Sequence, residues 1–236
     1  MFNPQPHVQV LPITSTQACY VIDDALAEPE RWVQLACEHR ARFADSPHNA
    51  YPGPELRLPD ALSQPLARFF DAHLRHRLGA RRTRSMYSRL SLTTRRPDAL
   101  QPRQWLCHVD RLGTAPRECL AATVLYLFRD EALGGTRFYV PRRPFAEIAA
   151  LIQASASLPA AEFSARTGLV PGYMAGSNDW FEHVATVPAR FNRLIAYDGM
   201  VFHSGDIGAP ERLSGDAATG RLTLNGFFVC SRALAG

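Results

Sequence analysis

Beyond residue 80 the apolar residues stop recurring every three or four positions and begin to alternate. Before that point Leu62, Leu66, Phe69, Phe70, Leu74 and Leu78 mark one face of a helix over 62–78, with Gly79 to stop it. From Ser85 to Leu92 apolar and polar residues take turns, which is the period of a half-buried strand. Similar short runs follow at 104–109, 121–128, 137–140, 193–197 and 222–230. Runs of this length, joined by turns and not by regular helices, predict an antiparallel all-β core.

The first third reads differently. Cys19–Ile22 is a short strand ended by Asp23 and Asp24, and Glu28–His39 is a helix with Pro29 in its first turn and acids facing its dipole. Residues 43–58 read as loop from their Pro, Gly and Asn content, and 1–17 as an irregular arm carrying Pro4, Pro6 and Pro12. Between the core strands, 141–189 reads as an insertion with a helix over Phe145–Ser155 and a Gly/Asn-rich loop, GYMAGSND. One domain over 1–236 is expected, made of the arm, an N-terminal strand with supporting helices (18–82), a core in two pieces (83–140 and 190–232), and the insertion as a possible lid.

Composition narrows the function. A 46% hydrophobic content is too high for disorder, and no apolar run approaches the roughly 18 residues of a membrane span. The start carries no basic patch followed by an apolar run, so no secretory signal is expected. All 26 basic residues are Arg, a bias that fits GC-rich bacterial coding, and a net charge of +4 is too modest to argue for nucleic acid. The arginines between 75 and 96 read as a solvated face. Five scattered cysteines without a C-x-x-C pair predict no disulfide framework or zinc site, and a reducing cytoplasm is expected.

The chemistry concentrates in a few residues. His108 and Asp110 stand two apart, so in an extended chain their side chains share a face. His203 lies in the segment Val201–Gly205. Two imidazoles and a carboxylate on one ion leave three positions open, as non-haem Fe(II) oxygen chemistry requires. Arg221 opens the last strand with Thr223 two residues on, a guanidinium and a hydroxyl able to hold a carboxylate. Asn225 continues that face. Tyr87 and Arg89, on the strand before His108, share a face and are substrate candidates. Trp105 is expected in the core, Cys107 turned away from the metal, and Trp180, Phe181 and His183 anchoring the insertion. Taken singly, each histidine also fits a hydrogen-bonded loop residue and the arginine a solvated one; their order along the chain carries the reading.

That order, H-x-D, then His, then R-x-T, resembles the 2-oxoglutarate/Fe(II)-dependent dioxygenases, in particular the prolyl-4-hydroxylase-like branch. Ala122–Asp130 followed by Leu133–Phe138 resembles its "YLN…GGxTxF" segment, Tyr20–Leu26 its N-terminal strand, and Asn192–Tyr197 its "NRlvlF" strand. The ending LTLNGFF (Leu222–Phe228) is similar to that of a bacterial subgroup. The resemblance covers 18–140 and 190–232. It implies a mainly β (α+β) fold with a double-stranded β-helix, or jelly-roll, core. It further implies that His108, Asp110 and His203 bind Fe(II) and form the catalytic centre, and that Arg221, helped by Tyr126 and Thr223, holds the distal carboxylate of 2-oxoglutarate. With O2 as co-substrate, the implied reaction hydroxylates a C–H bond and releases succinate and CO2. Its target would be a peptide or protein side chain or a small amino-acid-like metabolite. Gly134 and Gly135 would form a tight structural turn. Phe128 replaces the usual Asn, Arg221 replaces the Lys of collagen hydroxylases, and the longer insertion prevents carrying the substrate over. A non-catalytic jelly-roll (cupin-like) binding module and a cupin-like metalloenzyme that does not use 2-oxoglutarate remain alternatives. No membrane partner is expected, and the chain is expected as a monomer or homodimer.

Overall fold

The computed structural model describes residues 1–46, 51–110 and 117–232. The long alternating stretches form the middle of a seven-stranded antiparallel sheet. β4 (Ala80–Thr93) and β10 (Arg221–Arg232) pair along nearly their whole length, which sets Arg221 opposite Thr93, Thr223 opposite Ser91, Asn225 opposite Arg89 and Phe227 opposite Tyr87. On the other side of β10 lies β5 (Glu118–Tyr126), followed by β8 (Leu194–Asp198), β2 (Ala18–Ile22) and β1 (Gln9–Pro12), while β3 (Glu55–Arg57) forms the opposite edge. A second, three-stranded antiparallel sheet places β6 (Thr136–Pro141) between β7 (Phe181–Val187) and β9 (Phe202–Gly205).

Strand alternation gives the large sheet two unlike faces. Leu90, Leu92, Leu222, Leu224 and Phe228 turn to one side, where α1 (Glu30–Glu38) and α2 (Asp60–His73) cover them. The rings of Phe70 on α2 and Phe228 stack with centroids 3.9 Å apart. The other face looks toward the small sheet. There Ala122, Ile195 and Tyr197 pack with Phe138 and Val187, and the Phe138 and Tyr197 rings meet edge-on at 5.1 Å. A third apolar cluster ties α3 (Phe145–Ser157) and α4 (Ala160–Thr167) to the small sheet through Trp105, Tyr139, Phe163 and Phe181.

Several boundaries differ from the sequence expectation. The supposedly irregular 1–17 contains β1, and Phe2 is buried and bridged to Leu26. Prolines do not prevent this, because an edge strand can leave unpaired the positions that lack an N–H. Within 43–58 the run Glu55–Arg57 is a strand, while 47–50 lie outside the described residues. The expected strand at 104–109 does not form; a 3₁₀ turn occupies Pro102–Gln104, and His108 alone bridges to His203. α2 ends at His73, and a 3₁₀ turn carries the chain to Gly79, whose φ of +67° is the left-handed stop the sequence suggested. The segment 141–189 holds α4 and β7 in addition to the expected helix, so its last part is a strand of the small sheet. Among the described helices none is long and apolar enough to cross a membrane.

Candidate functional site

Although it lies outside any strand, the H-x-D segment is held at two points by the chain around His203. His108 N–H donates to the His203 carbonyl and His203 N–H to the His108 carbonyl, both at 2.9 Å, and Asp110 N–H donates to the Gly199 carbonyl at 2.8 Å. Residues that exchange both backbone bonds sit directly opposite, with their side chains on one side. The two imidazoles therefore face each other, ring centroids 4.4 Å apart, and Asp110 falls beside them. Each of the three residues offers a ligand atom, and these atoms lie within 4.8 Å of one another.

The donor set fits a cation. His203 Nδ1 is 2.9 Å from the Val201 carbonyl, a contact that places its proton on Nδ1 and turns the Nε2 lone pair toward Asp110, whose Oδ1 lies 3.6 Å away. Asp110 Oδ2 is buried and has no hydrogen-bond partner among the described residues. An acceptor left like this is unfavourable unless a cation takes it. Burial raises the Asp110 carboxyl above its ordinary value, against the pull of His203 and Arg89. Burial, His203 and Arg89 together hold His108 well below the usual imidazole range, which keeps it neutral and able to ligate. Cys107 turns away as expected, into the cluster around Tyr139, and burial pushes its thiol up.

Arg221 lines the same cavity, which measures about 320 Å³. It is buried, and its Nε donates to the carbonyls of Leu133 (3.0 Å) and Gly134 (3.1 Å), its Nη2 to that of Gly135 (2.8 Å), and its Nη1 to Thr93 Oγ1 (3.3 Å). Among the described residues three of the five guanidinium N–H groups are thus engaged, leaving one on each terminal nitrogen, enough to grip both oxygens of a carboxylate. The glycine pair makes this possible. A side chain at Gly134 would strike the Asp206 backbone and one at Gly135 the Val187 carbonyl, and Gly134 also has a φ of +79°. Phe128 lies beneath the guanidinium, with Arg221 Cζ 5.5 Å from the ring centroid, and gives the cation an aromatic face.

Residues 4–228 match the profile of DUF6445, a family of unknown function. The chain belongs to this family. None of the curated proteins matches the sequence. Among solved structures, a prolyl-4-hydroxylase from Pseudomonas putida is similar at 17% identity and TM-score 0.45, over 93% of this chain and 95% of that one. HygX from Streptomyces hygroscopicus, solved with nickel and 2-oxoglutarate, is similar at 13% identity and TM-score 0.48, over 93% and 84%. An N-substituted L-amino acid dioxygenase from Burkholderia ambifaria AMMD is similar at 12% identity and TM-score 0.44, over 99% and 100%. At such distances the chemistry has to come from the side chains themselves.

In this DUF6445 protein the cavity wall is the odd-numbered face of β4 and β10. Thr223 and Asn225 are buried there, with Asn225 Nδ2 donating to Thr223 Oγ1 (3.0 Å) and Ser91 Oγ (2.9 Å). Ser91 Oγ in turn donates to Glu55 Oε1 (3.2 Å), and Arg89 pairs with the same carboxylate at 2.9 Å. Arg89 is therefore a paired wall residue, unlike the exposed Arg81, Arg82 and Arg84 of the same basic stretch. Tyr87 lines the cavity and stacks on Phe227 at 4.9 Å. Tyr126 departs from expectation. Its hydroxyl pairs with Thr136 Oγ1 at 2.8 Å, and Thr136, not Tyr126, lines the cavity.

Sequence reasoning missed Tyr51, Thr93, Thr136 and Glu55. The Tyr51 hydroxyl is 2.8 Å from Thr93 Oγ1, beside the guanidinium. Tyr51 hides in a Pro/Gly-rich stretch that reads only as loop, whereas Thr93 was within reach, since strand alternation from Arg89 and Ser91 leads to it.

Proposed function

We propose that this chain is an Fe(II)- and 2-oxoglutarate-dependent dioxygenase that hydroxylates a C–H bond, built on a double-stranded β-helix core. The observation that carries the reading is one cavity lined both by three convergent ligand atoms and by a buried guanidinium with two N–H groups to spare. His108, Asp110 and His203 would hold the iron, which when bound supplies O2 activation coupled to oxidative decarboxylation of 2-oxoglutarate to succinate and CO2. Arg221 binds the distal carboxylate of the keto acid, and Thr223 borders it. Tyr126 acts at one remove, by orienting Thr136. Asn225 and Ser91 hold Thr223 in place. Tyr87, Arg89 and Phe227 wall the side on which the primary substrate enters. The segment 141–189 would act as the lid, and the five free thiols suit a reducing cytoplasm.

The test is stoichiometric. The full chain, reconstituted anaerobically with Fe(II), is exposed to O2 and 2-oxoglutarate, and succinate is quantified against O2 consumed. Succinate should form one-for-one with O2 and disappear in Asp110→Ala. No succinate above the metal-free control would refute the reading.

A further inference from the structure

A second cavity of about 300 Å³ adjoins the first and shares Tyr87, Asp110 and Phe227 with it. Along β10 the Arg221 row and the Phe227 row are six residues apart, roughly 20 Å at about 3.3 Å per residue. The second cavity thus lies toward the other end of the ladder from Arg221, with Asp110 at the junction. Most of its lining is apolar: Met86, Leu120, Val229, and the stacked rings of Tyr87 and Phe227. Among the described residues its single cation is Arg57, on the edge strand β3, whose guanidinium carbon lies 4.9 Å from the centroid of Tyr87. Arg57 is exposed, and among the described residues no carboxylate lies within ion-pair distance of it. The neighbouring Arg89 differs, because Glu55 already neutralises it.

Resting on the oxygenase reading above, we infer that this second cavity binds the primary substrate, and that the substrate is a small monocarboxylate with an apolar or aromatic stem. Arg57 takes the carboxylate through its planar fork, and Tyr87 holds that fork by stacking. Among the described residues of the lining one guanidinium, without a carboxylate partner, is the whole cationic complement, and it matches a single negative charge. The stem lies against Tyr87, Phe227 and Leu120 and reaches Asp110, where the metal side of the cavity begins. The two guanidiniums then divide the work, Arg221 holding the keto acid and Arg57 the molecule to be oxidised.

The probes are 3-phenylpropionate and 3-phenylpropanamide, alike in shape and different in charge, titrated into the full chain by ligand-observed NMR. The acid should bind at least about tenfold more tightly than the amide, and Arg57→Gln should bring that ratio to about one, with Arg57→Lys between. Equal binding of acid and amide, no binding of either at millimolar concentration, or a ratio that survives Arg57→Gln would overturn the proposal. Anaerobic titration of 2-oxoglutarate into the Fe(II)-loaded chain separates the two readings. If wild type binds it and the acid-to-amide ratio is one, the oxygenase reading stands and the carboxylate site falls. If wild type does not bind it while the ratio and its loss hold, the second cavity takes a carboxylate and the oxygenase reading falls.

Discussion

The two faces of the β4–β10 pair are made by the same strands and differ in almost everything else. On the helix side Leu90, Leu92, Leu222, Leu224 and Phe228 interlock with α2, and the buried Ser88 hydroxyl on that face is satisfied by Ser63 of α2 at 2.7 Å. On the cavity side Arg89, Ser91, Thr93, Arg221, Thr223 and Asn225 are largely buried yet polar, and they are held by hydrogen bonds to one another and to the 133–135 turn. Alternation lets one strand pair carry both a packed core and a binding wall. The apolar face stabilises by area removed from water, while the polar face keeps its groups satisfied at the wall and leaves a few donors and acceptors turned inward.

Four changes test that division, taken from the largest expected effect. Phe228→Ala, which empties the site stacked on Phe70, should cost about 3–5 kcal/mol of stability by urea unfolding and leave metal affinity of the folded protein unchanged. A tenfold loss of metal affinity in that variant would break the separation of the faces. Asp110→Asn works in the other direction. Removing a buried carboxylate with an unpartnered oxygen should stabilise the metal-free protein by about 1–3 kcal/mol at pH 7 while abolishing tight metal binding. Because burial raises this carboxyl, its ionisation penalty sets in as pH rises from the ordinary carboxylate range of about 4 through the raised value. The advantage of the Asn variant should therefore shrink toward zero near pH 4, which thermal melts across pH will show.

Gly199→Ala comes next. The new methyl group would lie 3.0 Å from Asp110 Oδ2 and from Leu120, so about 1 kcal/mol of destabilisation and weaker metal binding are expected by melts and metal titration. Thr223→Val should have the smallest effect, about 0.5–1 kcal/mol, since Asn225 keeps its bond to Ser91. Its 2-oxoglutarate affinity, read by calorimetry, should fall several-fold. If affinity holds while stability drops, Thr223 belongs only to the wall.

Much of this arrangement was legible because strand periodicity is a local signal. Alternation puts Thr223 and Asn225 on the face of Arg221, while Arg221 itself was picked out by the order H-x-D, His, R-x-T and the glycine pair by the family resemblance. What stayed hidden depends on tertiary contact. His108 converges on His203 through a lone backbone bridge and not through the strand its apolar flanks suggested. β1 pairs despite its prolines because it is an edge, a status no local window reveals. Tyr126 was expected at the anchor from its place in the resemblance, but the Thr136 hydroxyl intervenes, a side-chain pairing beyond the reach of pattern.

The most direct test of the account is thermodynamic coupling between the metal triad and the guanidinium. Anaerobic titration of 2-oxoglutarate into wild type, Arg221→Gln and Asp110→Ala, each with and without Fe(II), measures it. Wild type should bind the keto acid at least about tenfold more tightly when iron is present; Arg221→Gln should lose affinity while still binding iron, and Asp110→Ala should lose the iron dependence. Identical affinity in wild type with and without iron, undiminished by Arg221→Gln, would contradict it.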